Sequence, residues 1–407
     1  LCPGPGGIMQ EAGAGCKQWR LSIADYRLWI ARTSTDVGGV NIIVSGRSYA
    51  FAIGGFSSVG CGKEGWCLMT SRQRVIRALE FDRPDRAPRD VWALPGVSML
   101  RNDELQALLE KFPVDFDRPT GAYGPSKRAR GTRNEAGVSV DEWGCEFTVM
   151  ETGIVGEVKH PPLADWSRLD GWAPPWELLD DADFSRVNDA CKKTDKFVIG
   201  GTHVRPFERM QFLRGSENVF MDLLARPPEF DRLLALIHAF NLRDMEMWAG
   251  TGVDAISFMD DWGAQNALLI DPRLWREIFK PMYKEYCDIC RGAGKYLFFH
   301  SDGHISDIYA DLIEIGMSAI NSQLFCMDIE EIARRHKGRI TFWGEISRQH
   351  ILPFGTVGEV REAVRRVRRA LDDGTGGVIA QCEWGLRDPR ENIEAVFETW
   401  MEKLSAL

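Results

Sequence analysis

The feature that most restricts this chain is an alternation. Short runs rich in β-branched and aromatic residues, most closed by a polar or ionisable side chain, are each followed by an amphipathic helical stretch. The clearest runs span residues 197–203, 253–259, 296–300, 318–321, 340–344 and 377–382, with 89–94 as a first strand and the second not evident. Strands separated by helices cannot pair as tight hairpins, so the pattern predicts βα units around a parallel sheet. Their number and spacing predict a (β/α)8 barrel of the TIM type.

The helical stretches carry their own signals. Asp271 is placed to cap a helix with Pro272 in its first turn, and Leu274, Trp275, Ile278, Met282 and Tyr286 share one face until Gly292. Pro281 predicts a kink. Cys287 and Cys290 lie on the same apolar stripe, which favours core packing over a redox or metal pair. The arginines of 361–369 ride over Val360, Val364 and Val367 and are diluted by Glu359 and Glu362, the pattern of a solvated helix face.

Thr70 with Gln73 fits a capping box, and Val75, Ile76 and Leu79 follow as an apolar face, so the barrel is expected from Met69 to residue 407. Residues 1–68 are rich in Gly, Cys and Ser and lack sustained periodicity; they are expected to be a disordered or artefactual extension, not a domain. With 44% apolar residues, 27% charged residues and a net charge of −9, the chain lacks the basic excess that nucleic-acid binding needs. The weakly polar stretch 37–60 is broken by Asn41, Arg47 and several glycines, so no membrane span is expected. No signal-peptide pattern precedes it, and the ten cysteines are scattered, so a cytoplasmic setting with reduced thiols is expected. The Gly-rich turns show no nucleotide-phosphate motif. The expected partner is a small molecule.

Active sites of such barrels lie at the C-terminal ends of the strands. The runs end at His203, at Asp260 and Asp261, at His300 with Ser301 and Asp302, at Gln323, at Glu345, and at Cys382 with Glu383. Six successive strand ends of this kind predict one polar mouth, with Asp260, Asp261, His203, Gln323 and Glu383 as catalytic candidates. His300, Glu345 and Cys382, with Asp302 nearby, offer the imidazole, carboxylate and thiolate donors that zinc accepts. Strands five and eight are not neighbours, however, so these donors must meet across the mouth, and the chemistry alone leaves the metal open.

The segments MTSRQRVIRALEFDRPDRAP, FHSDGHISDIYADLIEIGMSAIN, WGEISRQHILPFGT and CEWGLRDPRENI resemble the uroporphyrinogen decarboxylase superfamily, over essentially everything from Met69 onward. The resemblance implies the same barrel and either of two chemistries. True uroporphyrinogen decarboxylases hold a polycarboxylate tetrapyrrole through an arginine-rich motif after the first strand; residues 91–98 here lack it, which weakens that reading. In the zinc-dependent, corrinoid-linked methyltransferases the metal is held by a His-x-Cys pair and a Cys of the last strand region. His300 fits the first position and Cys382 the last, while Asp302 stands where the middle cysteine would be and Glu345 is a candidate replacement.

The resemblance thus implies a methyltransferase acting between a small methylated substrate and a corrinoid or thiol, assisted by zinc as a Lewis acid. With no recognisable cobalamin-binding segment in the sequence, the corrinoid would arrive on a separate protein. Asp260, Asp261 and Glu383 would orient the substrate or manage its proton, and Trp262 and Trp384 would wall the pocket. Decarboxylation of a porphyrinogen or smaller relative is the alternative, and a non-catalytic metabolite-binding barrel a third.

Overall fold

The computed structural model describes residues 69–406, and of residues 1–68 only the backbones of four strands (Gln18–Ile23, Tyr26–Ala31, Gly39–Val44, Arg47–Ala52), which pair as an antiparallel meander within their own unit. The expectation that 1–68 is no domain lies outside the described residues.

Eight parallel strands build the second unit: β1 (Arg89–Ala93), β2 (Phe116–Asp117), β3 (Phe197–Gly201), β4 (Ala255–Met259), β5 (Tyr296–Ser301), β6 (Ala319–Ser322), β7 (Thr341–Trp343) and β8 (Val378–Trp384). Their order follows the chain from β2 to β8, and β8 pairs in turn with β1. Where β1 meets β2, the Asp115 N–H donates to the Arg89 carbonyl at 2.9 Å. This is the (β/α)8 barrel.

Side chains along each strand alternate between the barrel interior and the helix layer. Phe116, Phe197, Ile199, Ala255, Phe298, Ala319, Trp343 and Ile379 form the inner cluster. Val198, Ile256, Leu297, Phe299, Ile320, Phe342 and Ala380 belong to the outer one, with the helices. This parity, carried upward to the strand ends, decides which polar residues reach the mouth.

The first helix, Ser71–Leu79, begins with the Thr70–Gln73 capping box and drives Val75 and Leu79 into the inner cluster, at the N-terminal end of the barrel. Asp115, 1% exposed, anchors it: the carboxylate takes hydrogen bonds from Ser71 Oγ (2.8 Å), Arg74 (2.7 Å), Arg86 (2.7 Å) and the Arg89 N–H (2.7 Å). So many donors outweigh burial and hold this carboxyl below its ordinary range.

Helix Pro272–Gly292 is capped by Asp271, which accepts from the Arg273 N–H, and runs on through Pro281. Its face buries Trp275, Phe279, Tyr283, Tyr286, Cys287 and Cys290, and burial pushes both thiols up to about 12, the state of inert packing cysteines. Helix Val357–Leu371 pairs its exposed arginines with glutamates, Arg366 with Glu330 and Arg365 with Glu402 among them. Among the described residues no helix is long and apolar enough to cross a membrane.

Candidate active site

Met259 points into the barrel, so Asp260 and Asp261 must part company. Asp260 turns to the helix layer. It is fully buried and accepts from the N–H groups of Phe207 (2.9 Å) and Glu208 (2.7 Å) and from the Tyr283 hydroxyl (2.7 Å). It thereby caps helix Pro206–Arg214, whose own N-cap residue, Arg205, provides no side-chain cap. Burial pushes it up to about 7 against those three bonds. Its place is that of an anchor, away from the mouth.

Asp261 faces inward and meets the loop after β5, accepting from the Asp302 N–H at 2.9 Å. Glycine makes that approach feasible: a Cβ on Gly263 would lie 2.6 Å from the Asp302 carbonyl oxygen, and one on Gly303 (φ +75°) 2.1 Å from that of Gly263. Two loops are thus pressed together, and three donors converge. His300 Nε2 lies 3.3 Å from Asp302 Oδ1 and 3.7 Å from Asp261 Oδ1, and one donor atom from each residue falls within 4.8 Å of the others.

The ring of His300 is fixed from behind. Asn321 Nδ2 donates to the Trp343 carbonyl and to Gln381 Oε1, so its Oδ1 is left to accept from His300 Nδ1 at 2.6 Å. Nε2 therefore faces the two aspartates. Burial opposes a charged ring, but Asp302, Asp261 and Asn321 outweigh it and hold His300 up to about 9. Burial and the neighbouring Asp302 push Asp261 up to about 6, with His300 opposing. For Asp302 burial loses to His300 and Arg348, which hold the carboxyl down at about 2.

Arg348, on the loop after β7, is a hub that the strand-end reading missed. Its guanidinium bonds Asp302 and Glu383 and lies 3.7 Å from Glu345. Burial pushes Glu345 up to about 8; Arg348 opposes, and Glu383 and Asp302 add to the rise. Gln323 stands beside this group, its Oε1 3.1 Å from Cys326 Sγ. Arg348 follows Glu345 by three residues in a segment without periodicity, so only its proximity in sequence to a strand-end carboxylate could have flagged it.

Four more of the expected site residues sit elsewhere, as Asp260 does. Cys382 is fully buried in the outer cluster, one residue out of phase with the inward Gln381 and Glu383, and burial drives its thiol well above the ordinary range. It does not join His300. Trp262 is stacked on Phe207 at 4.2 Å, and Trp384 donates to the Asp388 carbonyl; both belong to the outer cluster instead of walling the mouth. His203 packs on Tyr123 at 4.3 Å, with its main-chain N–H on Asp244, and burial and nearby arginines lower its ring to about 4.

A cavity of about 430 Å³ opens at the mouth. Trp92, Trp343, Met259, Arg118, Arg205 and His300 are among its lining, so His300 joins the cavity to the acidic cluster.

A barrel with an ionisable cluster where its strands end is the architecture of an enzyme-type (β/α)8 domain. The uroporphyrinogen decarboxylase (URO-D) family model matches residues 138–402, and the chain belongs to that family. A methyltransferase from Methanosarcina mazei superposes with a TM-score of 0.61 at 16% identity, covering 82% of this chain and 98% of its own. This likeness establishes the fold. A 3-keto-D-glucoside 4-epimerase from E. coli (TM-score 0.33, 11% identity, 58% and 84% covered) and a GH113 β-1,4-mannanase (0.36, 10%, 78% and 99%) are more distant. No curated protein matches the sequence.

Proposed function

We propose that this protein is a methyltransferase that moves a methyl group between a small methylated substrate and a corrinoid or thiol, with zinc held by Asp261, His300 and Asp302. The observation that carries the reading is this cluster beside the cavity, in which Asp302 Oδ1 is buried without a hydrogen-bond partner of good geometry. One imidazole and two carboxylates are a donor set zinc accepts, and an orphaned acceptor oxygen among them fits a cation. Asp261 takes the place that the sequence assigned to Cys382.

The chain's own groups divide the remaining work. Asn321 sets the tautomer and orientation of His300, as partners behind a metal-binding histidine do. Arg348 keeps Asp302 ionised and turns one of its oxygens away, leaving the other toward His300. Glu345, which burial holds up to about 8, is matched to taking and returning a proton near neutrality. Zinc bound here would supply a Lewis acid toward a thiol or an ether oxygen. A corrinoid would be delivered on a separate protein.

Family membership favours a second reading, decarboxylation of a porphyrinogen. Against it, residues 91–98 lack the arginine-rich motif that would hold a polycarboxylate, and Asp302, Glu345 and Glu383 already share the one guanidinium of Arg348. Elemental analysis of protein purified with zinc, followed by methyl transfer from methylcobalamin to a thiol and by porphyrinogen consumption, separates the readings. Stoichiometric zinc with methyl transfer supports the proposal. A metal-free parent, or porphyrinogen turnover alone, overturns it, and a barrel that binds metabolites with neither turnover is the inert alternative.

A further inference from the structure

The cavity is lined by two kinds of surface. The indoles of Trp92 and Trp343 meet edge to face at 4.9 Å, and Trp92 lies 5.0 Å from the His300 ring. With Leu94 and Met259 they form a surface suited to a flat apolar ring. The other surface carries the guanidinium groups of Arg118 and Arg205, each of which also pairs with a carboxylate of the protein.

Arg118 directly follows β2. Its Nη1 and Nη2 grip the buried Asp90 at 3.0 and 2.6 Å, and Asp90 also accepts the Trp343 indole N–H at 2.8 Å. The guanidinium lies 5.7 Å from the Phe116 ring and 6.0 Å from that of Trp343. So the aromatic wall and the cation are fixed to one another through a single carboxylate. Arg118 Nε has no protein acceptor among the described residues. Arg205 spends Nη1 on Glu208 at 2.7 Å, which leaves its Nε and Nη2 in the same condition. The first N–H groups of the helix that follows Arg205 are already taken by Asp260, so anion recognition here falls to the side chains.

We propose that Arg118 and Arg205 bind a carboxylate, and that the substrate is a small aromatic acid whose ring lies against Trp92 and Trp343. The inference rests on the cavity's being the substrate site of the proposed reaction, and it names the substrate class. Guanidinium groups match carboxylates in geometry and charge. The acidic cluster behind His300 repels the same carboxylate, which sets the orientation: acid toward the arginines, the substituent at the far side of the ring toward His300. A volume of about 430 Å³ suits such a molecule, within the roughly 300–1,000 Å³ usual for small-molecule sites.

The test is direct binding to the full-length, zinc-supplied protein, read by calorimetry without turnover. The probes are 4-methoxybenzoate, its neutral amide 4-methoxybenzamide, and inorganic phosphate. The acid should bind at least about tenfold more tightly than the amide, the worth of one or two charge-assisted hydrogen bonds. Arg205→Gln should abolish that preference and leave the amide's affinity unchanged. Because losing Arg118 strands buried Asp90, Arg118→Lys is the second variant; it should weaken the acid selectively. Equal affinity for acid and amide, no binding of either, a preference that survives Arg205→Gln, or displacement by phosphate as effective as by the benzoate each overturns the inference. Absence of methyl transfer with the acid preference intact would instead count against the reaction, and loss of the preference with methyl transfer intact against this inference alone.

Discussion

Asn321 Oδ1 accepts from Nδ1 of His300 at 2.6 Å, and the two amide protons of Asn321 are already committed to Trp343 and Gln381. The histidine ring is therefore held in one orientation, with Nε2 toward the aspartates, by a residue of the next strand. Asn321→Ala should weaken zinc binding by about 10- to 100-fold while His300 itself is intact. A competitive chelator titration of parent and variant measures it; unchanged affinity would remove Asn321 from the site.

Cys382 faces the helix layer, so Cys382→Ser should retain zinc. The buried hydroxyl should cost about 1–3 kcal/mol in denaturant unfolding. His300→Ala and Asp302→Ala should do the reverse, losing metal with smaller effects on the fold. Loss of zinc from the Cys382 variant at unchanged stability would contradict this assignment.

Arg348 is the shared cation of Asp302, Glu345 and Glu383. Arg348→Met leaves these carboxylates to repel one another in a nearly closed site, and should lower stability by about 3 kcal/mol. The loss should shrink as pH falls through about 8, where Glu345 takes up its proton and no longer adds to the repulsion. Unfolding of both proteins at mildly alkaline and neutral pH checks the magnitude and the trend.

His203 supplies a pH dependence outside the cluster. Burial, then Arg209, Arg205 and Arg133, lower its ring from 6.5 to about 4. The unfolded chain takes up a proton below about 6.5 that the folded protein refuses until about 4, so stability falls across that window and levels off beneath it. The contribution is up to about 3 kcal/mol. His203→Phe should flatten the profile between those limits relative to the parent; parallel profiles would show that His203 does not titrate differently on folding.

We propose that residues 1–68 add nothing to the barrel's stability. Protein lacking them should melt within about 3 °C of the full chain, equivalent to roughly a kcal/mol. A larger fall in a thermal scan would give the segment a structural role.

The sequence made the barrel legible because hydrophobic periodicity and helix caps are local signals: Thr70, Asp271 and the runs leading to His300 and Trp384 could all be read without tertiary information. The second strand, Phe116–Asp117, is too short to have a period. At the mouth, polar composition located the strand ends but not their phase. Asp261 and Glu383 reach the site while their neighbours Asp260 and Cys382 face outward, and a single residue of phase separates each pair. Trp92 and Trp343, strand residues with inward phase, line the cavity in place of Trp262 and Trp384. Arg348 acts from a loop, where no periodicity exists to reveal it.

The first helix closes the far end of the barrel with Val75 and Leu79, held there by Asp115. A vessel stoppered at its base has a single door. Donor and acceptor must then both reach the cavity through that opening, and with no residue assigned to carry the methyl group between them they must be present together, so the kinetic signature is a family of intersecting double-reciprocal lines.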